Sequence, residues 1–231
     1  MSDIDANDGS TPILIHTEHG PLHGKLILPA DARGLIILAH AGANPESHDE
    51  ALGVILRHSG FATLRLDLLP YAEERFDDVH NNVSLLAKRL LGALNMVKRE
   101  MQNEVMPILP IGLCAADHAS PVIVRVAAQR DHDIAAIACR GGLIDLAGML
   151  YLRSLSSPLL VLVGETDATL LASSQRAMNE IACSKTLEII SKTESGFDSK
   201  AAFDTVAGKV VDWFDRYCRL SKQNQMLPPE C

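Results

Sequence analysis

The 231-residue chain carries 21 lysines and arginines against 29 aspartates and glutamates, and this net charge of −8 argues against a nucleic-acid-binding or anionic-membrane surface. Hydrophobic residues make up 47% of the sequence but aromatic residues only 4%, so leucine, isoleucine, valine and alanine are expected to build the core. No apolar run approaches the roughly 20 residues that a membrane-spanning helix needs, and the length suits one α/β domain or two small domains.

Short apolar runs alternate with longer amphipathic segments, a pattern typical of strands and crossover helices around a mainly parallel sheet. Residues Met1–Ser10 are acidic and polar and are expected to be a loose N-terminus. Strands are predicted at Ile13–Ile15, Lys25–Leu28, Leu35–Ala39, Ala62–Leu66, Ile108–Leu113, Ile134–Cys139, Leu159–Val163 and Thr186–Ile190. Helices are predicted at Asp49–Ser59, Val83–Lys98, Leu170–Ile181 and Phe203–Leu220. With Ser221–Cys231 as a loose tail, residues 11–220 are predicted to form one α/β domain of about eight strands with helices on both faces.

The five cysteines are an odd number and show neither a disulfide framework nor CxxC spacing. They are Cys114, Cys139, Cys183, Cys218 and Cys231. A reducing cytoplasm is the expected location, and the acidic N-terminus predicts no export signal. The histidines nearest the N-terminus, His16, His19 and His23, lack the spacing and carboxylate support of a metal site. No metal and no other cofactor is therefore expected.

A candidate nucleophile lies at the end of the predicted fifth strand. Cys114 follows Gly112 by two residues within the run Pro107–Ala116. In a G-x-S-x-G nucleophile elbow a serine occupies that place, and a strand-to-helix turn lifts its side chain above the sheet. The next backbone N–H, that of Ala115, can then help to bind an oxyanion. Taken alone, the G-x-C-x-A match is a weak signal.

Several further segments between about Gly20 and Tyr217 match one known family in order and spacing. They are Leu22–Pro29, Ala32–His40, Phe61–Leu69, Leu85–Leu90, Cys139–Gly142, Asp145–Gly148 and Val163–Asp167. The chain therefore resembles the dienelactone hydrolase-like branch of the α/β-hydrolases. This resemblance implies an α/β-hydrolase fold, a serine or cysteine nucleophile, an acid after a later strand and a histidine near the end.

The resemblance assigns a role to several positions. Cys114 falls on the nucleophile position, and dienelactone hydrolases themselves use cysteine. Asp167 falls on the acid position, after the strand predicted at Leu159–Val163. The backbone N–H groups of Ala115 and of Ala41, in the turn after the third strand, would form the oxyanion hole. The implied partner is a small ester, lactone or thioester.

The family histidine is missing from this sequence. Its position, in the loop before the last helix, is occupied by Ser195, and none of the nine histidines lies beyond His132. Histidine removes the proton of the nucleophile and returns one to the leaving group, so hydrolysis is expected to be slow or stalled. His118, four residues after Cys114, and His40 are candidates for a substitute base, although a solvated or hydrogen-bonding role is favoured for each.

Residues near the predicted turn bear on its geometry. Pro110 falls in what is predicted to be a central strand, a place that proline normally avoids. Ser120–Pro121 makes a good helix start, so the next helix is predicted to begin there rather than at Ala115. Asp117 is predicted to cap a helix, with lining of the pocket as the alternative. Arg140–Gly142 is predicted to be a structural turn rather than an anion site.

Two functions stay open at the level of sequence. The first is hydrolysis of a small ester, lactone or thioester through Cys114, slowed by the absent histidine. The second is a hydrolase fold that has lost hydrolysis and binds a small ligand or a protein partner. A third and weaker interpretation makes Cys114 a redox or thiol-transfer site. The sequence indicates no oligomeric state.

Overall fold

The computed structural model describes residues 11–41, 48–70, 73, 76–130 and 133–226. The strands are β1 (Thr11–Thr17), β2 (Gly20–Ile27), β3 (Leu35–His40), β4 (Ala62–Asp67), β5 (Ile111–Ala116), β6 (Ile134–Arg140), β7 (Leu159–Gly164) and β8 (Lys185–Ile190). The helices are α1 (His48–His58), α2 (Asp77–His80), α3 (Val83–Gln102), α4 (Ser120–Gln129), α5 (Met149–Ser154), α6 (Ala168–Glu180) and α7 (Lys200–Met226). The sheet order is β1-β2-β4-β3-β5-β6-β7-β8. The pairs β1–β2 and β2–β4 are antiparallel, and all the other pairs are parallel.

Both faces of the sheet are buried. In β3, Leu35 and Ile37 belong to the core shared with α3 to α6, whereas Ile36 and Leu38 belong to the core shared with α1 and α7. Consecutive side chains of a strand point to opposite faces, so a strand covered on both sides needs a continuous apolar run. The predicted architecture of eight strands with helices on both faces is confirmed.

The last helix packs an apolar stripe against the centre of the sheet. Val210, Trp213 and Phe214 of α7 are buried in the core on this side. A Cβ on Gly112 of β5 would lie 2.6 Å from the Phe214 ring, so only glycine leaves room for that ring. Although α7 is 27 residues long, neither it nor another helix of the described ranges is apolar enough over sufficient length to cross a membrane.

Several element boundaries differ from those predicted. The fifth strand begins at Ile111 instead of Ile108, because Pro110 has no N–H for the ladder; its carbonyl accepts the N–H of Leu35 at 2.9 Å just before the strand. The tail predicted from Ser221 is wrong as far as Met226, which ends α7. The remaining tail and the predicted loose N-terminus lie outside the described residues. The short helices α2 and α5 have no predicted counterpart, whereas the start of α4 at Ser120 confirms the prediction.

The strand order places a crevice at one edge of the sheet. From β3 the chain moves to β4 on one side and then, through α3, to β5 on the other side. Ligands of open α/β sheets bind at the carboxyl ends of the strands where the order reverses in this way. Those ends are His40 of β3 and Ala116 of β5.

Candidate active site

The turn after β5 is centred on Asp117. β5 continues past Cys114, and Asp117 follows its last residue with a φ of +45°, a conformation that is uncommon for residues other than glycine. Ala115 and Ala119, two residues to either side of it, are fully buried. A Cβ on Gly142 would lie 2.2 Å from the carbonyl oxygen of Asp117. The turn after β6 can therefore pack this closely against the turn at Asp117 only because residue 142 is glycine. A strained turn with small flanking residues at a strand end is the geometry of a nucleophile elbow.

Cys114 lies inside the sheet, so its predicted position at the turn is wrong. Its side chain is 0% exposed and packs in the core shared with α1 and α7. Burial raises the pKa of the Cys114 thiol to about 11, against the opposing charge of Arg140. Ala115 also lies within β5, between Ala39 and Cys139, so its N–H belongs to the sheet and is not directed at a substrate.

We expect the Cys114 thiol to resist alkylation in the folded protein. At about pH 8 a thiol with a pKa of about 11 is ionised in roughly one molecule per thousand, and only the thiolate reacts. Peptide mapping by mass spectrometry after iodoacetamide treatment should show Cys183, which is half-buried, modified well before Cys114. Denatured protein, in which both thiols react, is the control. Rapid native labelling of Cys114 would show that this site opens to solvent.

The positions assigned to the acid and to the missing histidine lie at the same edge of the sheet. Asp167 follows β7, and its Oδ1 accepts a backbone N–H from the first turn of α6 at 3.1 Å. Ser195 is 5% exposed, and its Oγ accepts the N–H of Gly164 at 3.0 Å. A Cβ on Gly141 would lie 3.2 Å from the Cβ of Ser195 and 3.6 Å from Oδ1 of Asp117. Ser195 and Asp117 therefore border the same glycine, while the role of Asp167 as an acid stays a prediction.

Solved proteins share this topology. A dienelactone hydrolase from Anabaena variabilis is 28% identical and has a TM-score of 0.84, covering 91% of this chain and 98% of that one. This chain therefore has the α/β-hydrolase fold, with a dienelactone hydrolase among the proteins that it is similar to. An esterase from Pyrococcus furiosus, with a TM-score of 0.70 at 13% identity over 90% of this chain and 91% of its own, shares the fold alone.

Two curated relatives are longer than this chain. They come from Mycobacterium tuberculosis strains CDC 1551 / Oshkosh and ATCC 25618 / H37Rv and are 31% identical over 202 residues. Their names describe them provisionally as phosphoribosyl transferases. The match covers 86% of this chain but 44% of each relative, so the chain spans less than half of their length. No family model matches the chain.

A pocket of about 300 Å³ opens beside Asp117, at the lower end of the sizes typical of small-molecule sites. Its polar end is formed by His80, Asn81, Asp117 and His118, and its apolar lining by Val83, Pro121, Leu143, Leu146 and Leu170. Ala41 borders this end, since its carbonyl oxygen lies 3.5 Å from Nδ1 of His80; its N–H as an oxyanion donor stays a prediction. Across the part of the chain that the structure describes, no three histidine, cysteine or carboxylate side chains are grouped to hold a metal ion.

Both histidines considered as substitute bases lie near Asp117, and each has another partner. Nδ1 of His118 is 3.1 Å from Oδ1 of Asn81, and Nδ1 of His40 is 3.4 Å from Oδ2 of Asp49. Asp117 is exposed at the pocket mouth, but part of its carboxyl is removed from water, and this raises the pKa of the carboxyl. Nearby positive charge, mainly that of His118, opposes the rise. The structure thus groups these histidines with Asp117 rather than with a thiol.

A buried ion pair connects α1 with β6. Arg140 and Asp49 are 4% and 5% exposed, and their side chains are in direct contact. The charge of the Arg140 guanidinium also acts on the thiol of Cys114 and opposes the rise in its pKa. Gly141 and Gly142 both have positive φ, which confirms the structural turn predicted at this point. Arg140 therefore serves contacts inside the protein.

Sequence reasoning did not identify Asp117 as the centre of the turn. The helix-capping role predicted for it is wrong, because neither the short 3-10 turn Asp117–Ala119 nor α4 has a side-chain N-cap; its alternative role in lining the pocket is confirmed. Two signals in the sequence could have located the turn. The first is Pro110, because proline normally avoids a central strand and so shifts the strand, and the turn after it, towards the C-terminus. The second is the pair Ala115 and Ala119, which are small residues two positions to either side of Asp117.

Proposed function

We propose that this protein, which has the α/β-hydrolase fold, binds a small organic ligand beside Asp117 and does not hydrolyse esters by the covalent route. The observation that carries the proposal is the carboxylate of Asp117 at the turn where a hydrolase holds its nucleophile. Acyl transfer to an enzyme uses a hydroxyl or thiol that an adjacent base activates. Asp117 provides neither group.

The opposite side of the site supports the same proposal. Ser195 occupies the histidine position and its Oγ accepts the N–H of Gly164. A serine hydroxyl is not a general base near neutral pH, because efficient bases have a pKa close to the working pH. Sites without a complete triad keep only about 10³–10⁴-fold catalysis over water, from binding and the oxyanion hole. Turnover through this arrangement is expected to be residual.

Hydrolysis through Cys114 has less support. The thiol is fully buried in the sheet, its pKa is raised, and the turn that would present it to a substrate lies beyond it in the chain. A substrate carbonyl would reach the sulfur only after the sheet or the helices covering it had opened. The same burial argues against a redox or thiol-transfer role.

We do not extend phosphoribosyl transfer to this chain. A diphosphate ester is normally bound by arginine, lysine or a metal ion. Among the residues that the structure describes, the lining of the pocket beside Asp117 contains no lysine and no arginine, and it presents a carboxylate instead. In addition, the match covers only 44% of the length of each of the two curated relatives.

The proposal predicts a folded protein without esterase activity. Purified protein should release no product above the buffer rate from p-nitrophenyl esters, a lactone panel and aryl thioesters, followed by absorbance. It should also remain unlabelled by a fluorophosphonate, read by intact mass. Steady turnover that disappears in Asp117→Asn or in Cys114→Ala would overturn the absence of covalent hydrolysis.

The binding half of the proposal has a matched pair of variants. Leu146 lines the pocket and is 52% exposed, so Leu146→Trp can fill the pocket from its rim with little expected loss of stability. Leu150, which is 73% exposed and does not line the pocket, offers the control Leu150→Trp. Compounds that raise the melting temperature of the wild type should lose that effect in Leu146→Trp and keep it in Leu150→Trp. Equal behaviour of the two variants would place the binding elsewhere.

A further inference from the structure

We infer that the pocket beside Asp117 binds a small primary ammonium ion carried on an apolar body. This inference rests on the proposed function and names its ligand class. The apolar body is indicated by the pocket lining, in which the five apolar side chains of Val83, Pro121, Leu143, Leu146 and Leu170 outnumber the four polar ones. Leu146 is half-exposed, so the apolar wall continues to the surface and leaves a route for the ligand.

The polar end of the pocket offers hydrogen-bond acceptors. The carboxylate of Asp117 accepts only, and a carboxylate carries about four lone-pair sites. The tautomer of His118 follows from its partner: Oδ1 of Asn81 can only accept, so Nδ1 at 3.1 Å carries the hydrogen. In the neutral ring Nε2 is then an acceptor. An ammonium group brings three donors and no acceptor, which complements this set.

The charge balance of the site favours a cation. Arg140, whose charge also reaches Asp117, forms a buried ion pair with Asp49, so its charge is already matched. Within the described part of the chain, no lysine or arginine lines the pocket. Ionised Asp117 therefore adds a negative charge to a partly desolvated position, and a bound ammonium ion offsets the resulting cost. An anionic ligand would meet repulsion there.

Binding should strengthen as the pH rises from acid to neutral. The titratable and charged groups around Asp117 are His118 on its own turn, His80 from α2, His40 from β3, Asp49 from α1 and Arg140 from β6. At low pH the carboxyl of Asp117 is protonated and has no charge to attract a cation. It ionises as the pH rises, and because partial removal from water raises its pKa, the gain in binding falls at a higher pH than it would for a fully solvated carboxyl.

Isothermal titration with three probes of equal chain length tests the inference: hexylamine, hexanol and hexanoate, at about neutral pH and at moderate salt. Hexylammonium should bind about 10- to 100-fold more tightly than hexanol, as expected for a hydrogen bond to a charged group, and hexanoate should bind most weakly. Asp117→Asn should remove the preference. Asp78→Asn, which removes the same charge from an exposed position on α2, should keep it.

The outcomes separate this inference from the proposed function. Equal affinity for the three probes, a preference for hexanoate, an ammonium preference that survives Asp117→Asn, or no binding of hexylamine would each overturn the inference. Ester hydrolysis would overturn the proposed function and leave the charge preference standing. Asp117→Ser is a second variant with the same expected loss, so the test does not depend on the folding of one variant.

Discussion

Replacing Asp49 by alanine is expected to lower the free energy of unfolding by about 3–5 kcal/mol, because it leaves the guanidinium of Arg140 buried without its counter-ion. Both side chains are about 5% exposed, and their ion pair links α1 to the end of β6. Urea unfolding followed by circular dichroism measures the change.

Two further variants distinguish the cost of burying an unpaired charge from the attraction between Asp49 and Arg140. In the double variant Asp49→Leu/Arg140→Met no unpaired charge is buried, so it should be more stable than Asp49→Ala alone. Asp204→Ala removes one partner of the exposed Lys200–Asp204 pair and should cost at most about 1 kcal/mol. A loss in Asp49→Ala as small as that in Asp204→Ala would show that water reaches Arg140.

The same pair makes stability depend on pH. Burial acts against ionisation of Asp49, but Arg140 and His40 outweigh it and hold the pKa of this carboxyl below its ordinary value. A lowered pKa stabilises the folded state at any pH above the unfolded value of about 3.9. This contribution is lost as the pH falls through the folded pKa. The stability difference between the wild type and Asp49→Asn should therefore be constant near neutral pH and shrink in acid.

Most of the central sheet could be predicted because its strands are continuous apolar runs. The strand predicted at Ile134–Cys139 is observed to end one residue later, and so is that predicted at Leu159–Val163. A strand covered on both faces leaves this local signature, since every side chain must be apolar. The predicted start of the fifth strand is wrong because its apolar run includes Pro110. This residue lies just before the strand, and its carbonyl oxygen accepts the N–H of Leu35 there.

The candidate site was harder to predict because its determinants are distant in the chain. Gly112 looks locally like the first glycine of an elbow, yet it is required by the ring of Phe214 in the last helix. The partner of Arg140 is Asp49, 91 residues away, and neither local pattern nor composition indicates that pairing. The absence of the family histidine rests on the assignment of its position to Ser195, and that assignment stays a prediction.

Placing a serine at position 117 and a histidine at position 195 together is expected to create esterase activity. Asp117→Ser/Ser195→His should hydrolyse p-nitrophenyl acetate at least about 10²-fold faster than the wild type, the lower end of what a positioned general base contributes. Asp117 sits on a strained turn flanked by two small buried residues, where a serine would be presented to a substrate. The side chains of residues 117 and 195 border the same glycine, Gly141, so a histidine at 195 has a short path to that serine.

Each single variant should remain near the background rate, because a serine without a base and a base without a nucleophile both leave the reaction incomplete. Ser195→His gives up the hydrogen bond to Gly164, so a stability loss of about 1 kcal/mol is expected and should be measured alongside the rate. Adding Cys114→Ala to the double variant should leave the new activity unchanged, since Cys114 lies buried within β5. Activity that vanishes with Cys114→Ala would make the thiol the nucleophile after all. A folded double variant no faster than its single variants would mean that the turn at Asp117 does not present its side chain as an elbow does.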